Sequence, residues 1–139
     1  MADETKITIV GNLTAIPDLR YTPTGSPVAT FTVASTPRVF DKRSNQWRDG
    51  ETLFLRCVTS KEQAENVNDS LGVGDRVVVI GRLSQKQWQA KDGSKRTALE
   101  LEVEDVGSSL KFATARPSKT VRSNPDPSQP AKEDPWLTH

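Results

Sequence analysis

The chain has 139 residues, of which 34% are hydrophobic, and its 19 lysines and arginines nearly balance its 18 aspartates and glutamates. This length allows one domain of ordinary size with an appendage, and the balanced charge neither indicates nor excludes a nucleic-acid partner. One cysteine, Cys57, and one histidine exclude an intrachain disulfide and a Cys/His metal site. We therefore expect no metal and no cofactor.

The first residues are acidic where a secretory signal needs basic side chains, and they lack the arginine-rich character of a transit peptide. No apolar run approaches the roughly 20 residues that a membrane span requires. With the unpaired cysteine, these features predict a protein of the reducing cytoplasm that has no membrane partner.

The chain begins with short alternating strands broken by turn residues. The first strand is predicted over residues 7–13 and the second over residues 28–35, after a turn-rich run at residues 22–27. Residues 36–51 are polar and hold an Asp-Gly turn signal, so we expect a long loop there. Long ordered loops in compact domains are usually functional.

The third strand, residues 52–59, divides most clearly into two faces by the two-residue period of a strand. The inward face holds Leu53, Leu55 and Cys57, and the outward face holds Phe54, Arg56 and Val58. We expect Cys57 to be a buried free thiol, with an intersubunit disulfide as the alternative.

A helix is predicted next. The run SKEQ at residues 60–63 fits a capping box, in which Ser60 caps the helix. Ala64, Val67 and Leu71 then follow helical spacing until Gly72 ends the pattern.

Two further strands, residues 76–88 and 97–106, flank a hairpin tip at residues 91–95. The predicted inward residues are Val77, Val79, Leu83, Leu99, Leu101 and Val103. The predicted outward residues are Arg82, Lys86 and Trp88 on one strand and Glu100, Glu102 and Glu104 on the other. Because the glutamates repel phosphate, we expect a bound strand to avoid their side.

Five strands with a helix between the third and fourth is the order of an OB-fold barrel, an all-β class whose open face binds oligonucleotides or oligosaccharides. We place this domain at residues 1–112. Residues 113–139 are rich in proline, serine and lysine and bury too little apolar surface to fold, so we predict a disordered C-terminal tail.

The outward residues Phe54, Arg56, Arg82, Lys86 and Trp88 would put rings and cations on one surface. Single-strand binders need this combination, because cations follow the phosphates while rings stack on unpaired bases. Exposed rings on a sheet also occur beneath a loop or at a subunit contact, and the pattern alone leaves these alternatives open.

Four runs in this order resemble the bacterial single-stranded DNA-binding protein family in its actinobacterial form: VGNL at 10–13, LRYTPTG at 19–25, VATFTVA at 28–34 and GRL at 81–83. Between them lie FLRC at 54–57 and AENV at 64–67, so the resemblance covers residues 5–112. It implies a homotetramer at the nucleoid that binds and protects single-stranded DNA, whatever its base sequence, during replication, recombination and repair.

The resemblance also implies which residues bind. The stacking rings fall on Phe40, Phe54 and Trp88, while Trp47 either adds a fourth ring or docks on its own barrel. A further position that is normally aromatic is Ser60 here. The implied phosphate ligands are Arg20, Arg38, Lys42, Arg43, Arg56, Lys61, Arg82, Lys86 and Arg96.

The tail departs most from the family, which usually ends in an acidic run and an apolar tripeptide that docks replication and repair proteins. Here Asp134, Pro135 and Trp136 are either an eroded docking tip or part of an end with a stray tryptophan. The short tail suggests an accessory paralogue. An enzyme is disfavoured because no catalytic set is present, whereas an RNA-binding or protein-docking OB module remains the second candidate.

Overall fold

The computed structural model describes residues 4–120, which form eight strands and one helix. They are, in chain order, β1 (Thr5–Leu13), β2 (Asp18–Tyr21), β3 (Pro27–Ser35), β4 (Arg38–Asp41), β5 (Gln46–Asp49), β6 (Leu53–Ser60), α1 (Lys61–Ser70), β7 (Arg76–Gln89) and β8 (Lys95–Ser108).

Five of these strands pair in a ring. β1 pairs with β7, β7 with β8, β8 with β6 and β6 with β3, and β3 returns to β1. All of these pairings are antiparallel except β6 with β8, which is parallel. The five strands are those expected from the sequence, with α1 between the third and fourth, so the predicted all-β OB-fold is confirmed. β2 extends the sheet beside β3.

The core follows from strand alternation, because every second side chain of each barrel strand points inward. Val33, Leu55, Val79 and Leu101 are almost completely buried there, together with Cys57. α1 contributes its buried residues, Ala64 and Val67, and packs against β3 and β6. The inward side chains therefore form one apolar core, and the outward side chains of the barrel strands are available for a binding site.

Two predicted inward residues, Leu53 and Leu99, are each 54% exposed, so those two predictions are wrong. Both keep the expected phase, but they lie beyond the closed part of the barrel, where β6 and β8 pair only from Arg56 with Glu100 to Val58 with Glu102. The alternation of a strand determines on which face a side chain lies. The side chain is buried only where another part of the protein packs against that face.

The predicted long loop at residues 36–51 contains a hairpin, so that prediction is wrong in part. β4 and β5 pair antiparallel, and Asn45 adopts the left-handed conformation at φ 56° in the turn. The Gly50 amide donates to the Pro37 carbonyl oxygen at 2.7 Å and closes its base. Polar, exposed strands lack the alternation by which a strand is recognised from sequence.

The capping box is also wrong, although the helix itself is confirmed. Ser60 occupies the N-cap position but makes no side-chain cap hydrogen bond. Gln63 does not turn back to Ser60, because its Nε2 donates to the Thr59 hydroxyl at 2.8 Å. Lys61, the first residue of α1, adopts the left-handed backbone conformation at φ 62°.

Residues 113–120 are exposed and have no regular secondary structure, and the rest of the predicted tail lies outside the described residues. The domain boundary at residue 112 stays a prediction. The helix within residues 4–120 is too short and too polar to cross a membrane.

Candidate nucleic-acid interface

The outer face of β6 presents its aromatic ring beside small side chains. Phe54 stands opposite Ala34 of β3, and its side chain is 64% exposed. The neighbouring outward residue, Arg56, stands opposite Thr32. The methyl side chain of Ala34 leaves one side of the Phe54 ring open, which is the condition for stacking on a base.

Two rows of side chains cross this face from β3 through β6 and β8 to β7. One row consists of Thr32, Arg56, Glu100 and Ser84, and the other of Thr30, Val58, Glu102 and Arg82. Because directly paired residues point to the same face of a sheet, the glutamates lie among the cations. Glu100 and Glu102 do not stand apart from the cations, because the parallel pairing with β6 places β8 in the centre of the face. That a bound strand avoids the glutamates stays a prediction.

Ion pairs join the glutamates to the cations. Arg56 Nε lies 3.6 Å from Glu100 Oε2, Arg82 Nη2 lies 3.1 Å from Glu102 Oε2, and Lys86 Nζ lies 3.4 Å from Glu102 Oε1. Arg82 Nη1 also donates to Glu4 Oε1 at 3.0 Å. This hydrogen bond, followed by the charges of Glu4 and Glu102, raises the pKa of Arg82. Two of its guanidinium nitrogens thus already contact carboxylates, whereas the buried Nε has no hydrogen-bond partner within residues 4–120.

The β4–β5 hairpin carries two of the predicted rings. The Phe40 and Trp47 ring centroids lie 5.3 Å apart with planes tilted by 59°. The two side chains remain 40% and 62% exposed. Trp47 therefore packs on Phe40 across the hairpin, and both rings keep open surface.

The β7–β8 hairpin carries the last ring. Trp88 is 52% exposed and pairs with Arg96 beyond the closed part of the barrel. At the tip, Asp92 accepts hydrogen bonds from the Ser94 hydroxyl at 2.6 Å and its amide at 2.9 Å. These bonds lower the pKa of Asp92 and engage the tip's acidic group, leaving Lys91 and the other tip cations exposed.

The nine predicted phosphate ligands fall into two groups. Five contact a carboxylate: besides the three on the barrel face, Arg20 Nε lies 3.1 Å from Asp18 Oδ2, and Arg38 Nε lies 3.6 Å from Asp49 Oδ1. Across residues 4–120, the side-chain nitrogens of the other four have no carboxylate oxygen within 4.0 Å: Lys42, Arg43, Lys61 and Arg96. The backbone amide of Arg43 does donate to Asp41 Oδ1 at 2.9 Å.

The sequence prediction left out three further exposed cations on the two hairpins: Arg48, Lys91 and Lys95. They were recognisable from charge alone, since residues 82–96 hold five basic side chains and a single acidic one, and residues 38–61 hold six basic and three acidic ones. Strand alternation cannot show which of these side chains bind, because both faces of each hairpin are exposed where these residues lie.

Comparison with known proteins identifies the family. Residues 4–109 match the Single-strand binding protein family. The chain belongs to this family. Its members are binding proteins and not enzymes.

Named relatives of this family come from actinobacteria. The chain is 56% identical over 124 residues to a single-stranded DNA-binding protein of Paenarthrobacter aurescens, covering 89% of this chain and 72% of the relative. It is 51% identical over 146 residues to one from Mycobacterium bovis, covering 98% of this chain and 89% of the relative. The crystal structure of a small single-stranded DNA-binding protein from Streptomyces coelicolor has 34% identity and a TM-score of 0.68, covering 78% of this chain and 96% of that one.

Ser60, at the position where the family resemblance implies a ring, ends β6 opposite Val28, which in turn stands opposite Arg20 of β2. A groove on this face is lined by Ile16, Arg20, Val28 and Arg56 among others, and no aromatic side chain except Phe31 lines it. Phe31 is a core residue, 4% exposed, so this groove presents no exposed ring.

Proposed function

We propose that this chain coats single-stranded DNA without selecting a base sequence and protects it during replication, recombination and repair. The observation that carries this proposal is the distribution of exposed rings: Phe54 on the barrel face, Phe40 with Trp47 on one hairpin and Trp88 on the other. Each of the two hairpins also carries exposed cations, and Phe54 is followed on the outer face of β6 by Arg56.

The rings account for binding that ignores sequence, because every base has a flat face on which a ring can stack. Such stacking contributes roughly 1–3 kcal/mol per base. Phe40, Phe54 and Trp88 are the proposed stacking residues. Trp47 joins them through its contact with Phe40.

The cations account for attraction to the phosphates. Lys42, Arg43, Lys61 and Arg96 are the first proposed ligands, since none of their side chains forms an ion pair with a carboxylate within residues 4–120. The contribution of the other five predicted ligands, Arg20, Arg38, Arg56, Lys86 and Arg82, depends on how well phosphate competes with the neighbouring carboxylate.

The remaining family expectations are part of this proposal. The chain acts as a homotetramer in the cytoplasm, associated with the nucleoid, so that one strand passes over several barrels. Recruitment of replication and repair proteins through Asp134, Pro135 and Trp136, and the role of an accessory paralogue, stay predictions. Those three residues lie outside the described residues.

The test is a titration of tryptophan fluorescence in the full chain with oligo(dT), oligo(U) and duplex DNA. We expect strong quenching by oligo(dT) that weakens with added salt, and little response to duplex. An equal or stronger response to duplex contradicts the proposal. Tighter binding of oligo(U) than of oligo(dT) favours the second candidate, an RNA-binding OB module.

A further inference from the structure

The centre of the outer face is formally neutral although it is rich in charge. Its central cluster consists of four cations and four carboxylates, each within 4.0 Å of an opposite charge, in three groups of ion pairs: Lys6 with Glu104, Arg56 with Glu100, and Arg82 and Lys86 with Glu4 and Glu102. Lys6 Nζ lies 3.2 Å from Glu104 Oε1 and completes the set at β1. A phosphate that approaches this centre therefore meets no net positive charge.

Glu102 has a particular position in the central cluster. One of its oxygens lies 3.1 Å from Arg82 Nη2 and the other 3.4 Å from Lys86 Nζ. It therefore holds two cations of β7 with two oxygens, as a phosphate group would. Arg82 is held from its other side by Glu4 at 3.0 Å.

The two hairpins have the opposite balance. Residues 38–49 hold four basic and two acidic side chains, and residues 89–96 hold three basic and one acidic. The acidic group of the second tip, Asp92, is hydrogen-bonded to Ser94. Apart from Lys61 at the start of α1, the predicted phosphate ligands whose side chains contact no carboxylate within residues 4–120 thus lie on the hairpins.

Little binding free energy is gained when a phosphate replaces Glu102 as the partner of the central cations. A phosphate that displaces Glu102 replaces one anion by another and leaves the displaced carboxylate close to the new negative charge, where the two repel. At the hairpins, an exposed lysine or arginine displaces counterions that are condensed on the phosphates of the strand, and their release favours binding.

We infer that the phosphates of a bound strand follow the two hairpins, and that Glu102 keeps them off the centre of the barrel by occupying Arg82 and Lys86. This inference rests on the proposed function and specifies its phosphate ligands. Lys42, Arg43 and Arg96 contact phosphate directly, whereas Arg56, Arg82 and Lys86 join β6, β7 and β8 through Glu100 and Glu102.

The salt dependence of oligo(dT) affinity tests this inference, since each phosphate contact with a single strand contributes about 0.7 to the slope of log K against log salt. Arg96→Gln should lower the slope by about that amount, and Arg82→Gln by less than half as much. Glu102→Gln, which frees Lys86 and leaves Arg82 paired with Glu4, should raise both the affinity and the slope, the slope by about 0.7. Glu65→Gln, on the exposed side of α1, makes the same charge change away from the face and should alter neither.

A loss of slope in Arg82→Gln equal to that in Arg96→Gln overturns the inference, as does a Glu102→Gln variant that binds no more tightly than Glu65→Gln. Thermal unfolding confirms that each variant is folded, and a gain of affinity in Glu102→Gln cannot arise from misfolding. If the unaltered chain fails to bind oligo(dT) at all, the proposed function fails instead.

Discussion

Phe40 and Trp47 face each other across the β4–β5 hairpin with ring centroids 5.3 Å apart. β4 and β5 pair at only four residue positions, and they form a two-stranded sheet that is separate from the barrel sheet. An isolated two-stranded hairpin is marginal in water, and a tilted aromatic pair contributes about 0.5–1.5 kcal/mol beyond the area it buries. This ring contact therefore holds in place a hairpin that also carries Lys42 and Arg43.

Trp47→Ala should loosen the hairpin and remove one stacking surface, lowering oligo(dT) affinity by roughly tenfold. Trp47→Phe keeps a ring against Phe40 and should retain most of the affinity. Fluorescence anisotropy of a labelled oligo(dT) measures both, since it does not depend on the tryptophan that is removed. Equal losses in the two variants would show that the indole itself, and not the ring contact, is required.

Trp88→Ala should weaken oligo(dT) binding by about 1–3 kcal/mol, because an exposed stacking surface is lost. Phe112→Ala is the matched control: that ring is 78% exposed but lies beside Arg76, at the start of β7 and away from both hairpins. Anisotropy titrations of both variants test this prediction, and melting temperatures should stay near that of the unaltered chain. A comparable loss of oligo(dT) affinity in Phe112→Ala would refute the assignment of the DNA-binding face to the side of the barrel that carries Trp88.

Gly81→Ala should lower the free energy of unfolding by about 1–3 kcal/mol, the usual effect of overpacking. A Cβ at residue 81 would overlap the carbonyl oxygen of Glu102, at the register shift between Ile80 and Gly81. Gly107→Ala is the control on β8, since a Cβ there meets no atom within 4 Å. Urea unfolding followed by circular dichroism distinguishes them, and similar midpoints would mean that β7 and β8 are less closely packed than described.

Cys57 should resist alkylation while the protein is folded. It is completely buried, and burial, with a smaller effect of the Glu100 charge, raises the pKa of its thiol from 9.0 to about 12. Iodoacetamide should label it only in denaturant, as mass spectrometry would show. Because the folded state holds the neutral thiol, the free energy of unfolding should fall as the pH rises from 9.0 towards 12. Rapid labelling of the native protein would contradict this burial.

The alternation of residues 52–59 predicted the most important division of the molecule, with Cys57 inside and Phe54 outside. It was sufficient because a strand pairing on both edges has one buried and one exposed face. The family resemblance then gave the same fold and the same rings as candidates.

The position of Glu100 beside Arg56 could not be predicted. It depends on the parallel pairing of β6 with β8, and a local pattern contains no information on which distant strands become neighbours or in which register. The β4–β5 hairpin was missed for a different reason, because Trp47 and its neighbours are exposed on both faces and show no alternation.

Ultraviolet crosslinking of the full chain to oligo(dT), with mass spectrometry of the crosslinked peptides, shows directly which residues the bases contact. If unpaired bases stack on Phe54 and Trp88, we expect crosslinks in the peptides that carry these two residues, with additional crosslinks at Phe40 or Trp47. Crosslinks confined to α1 or to the peptide that carries Phe112 would contradict this stacking.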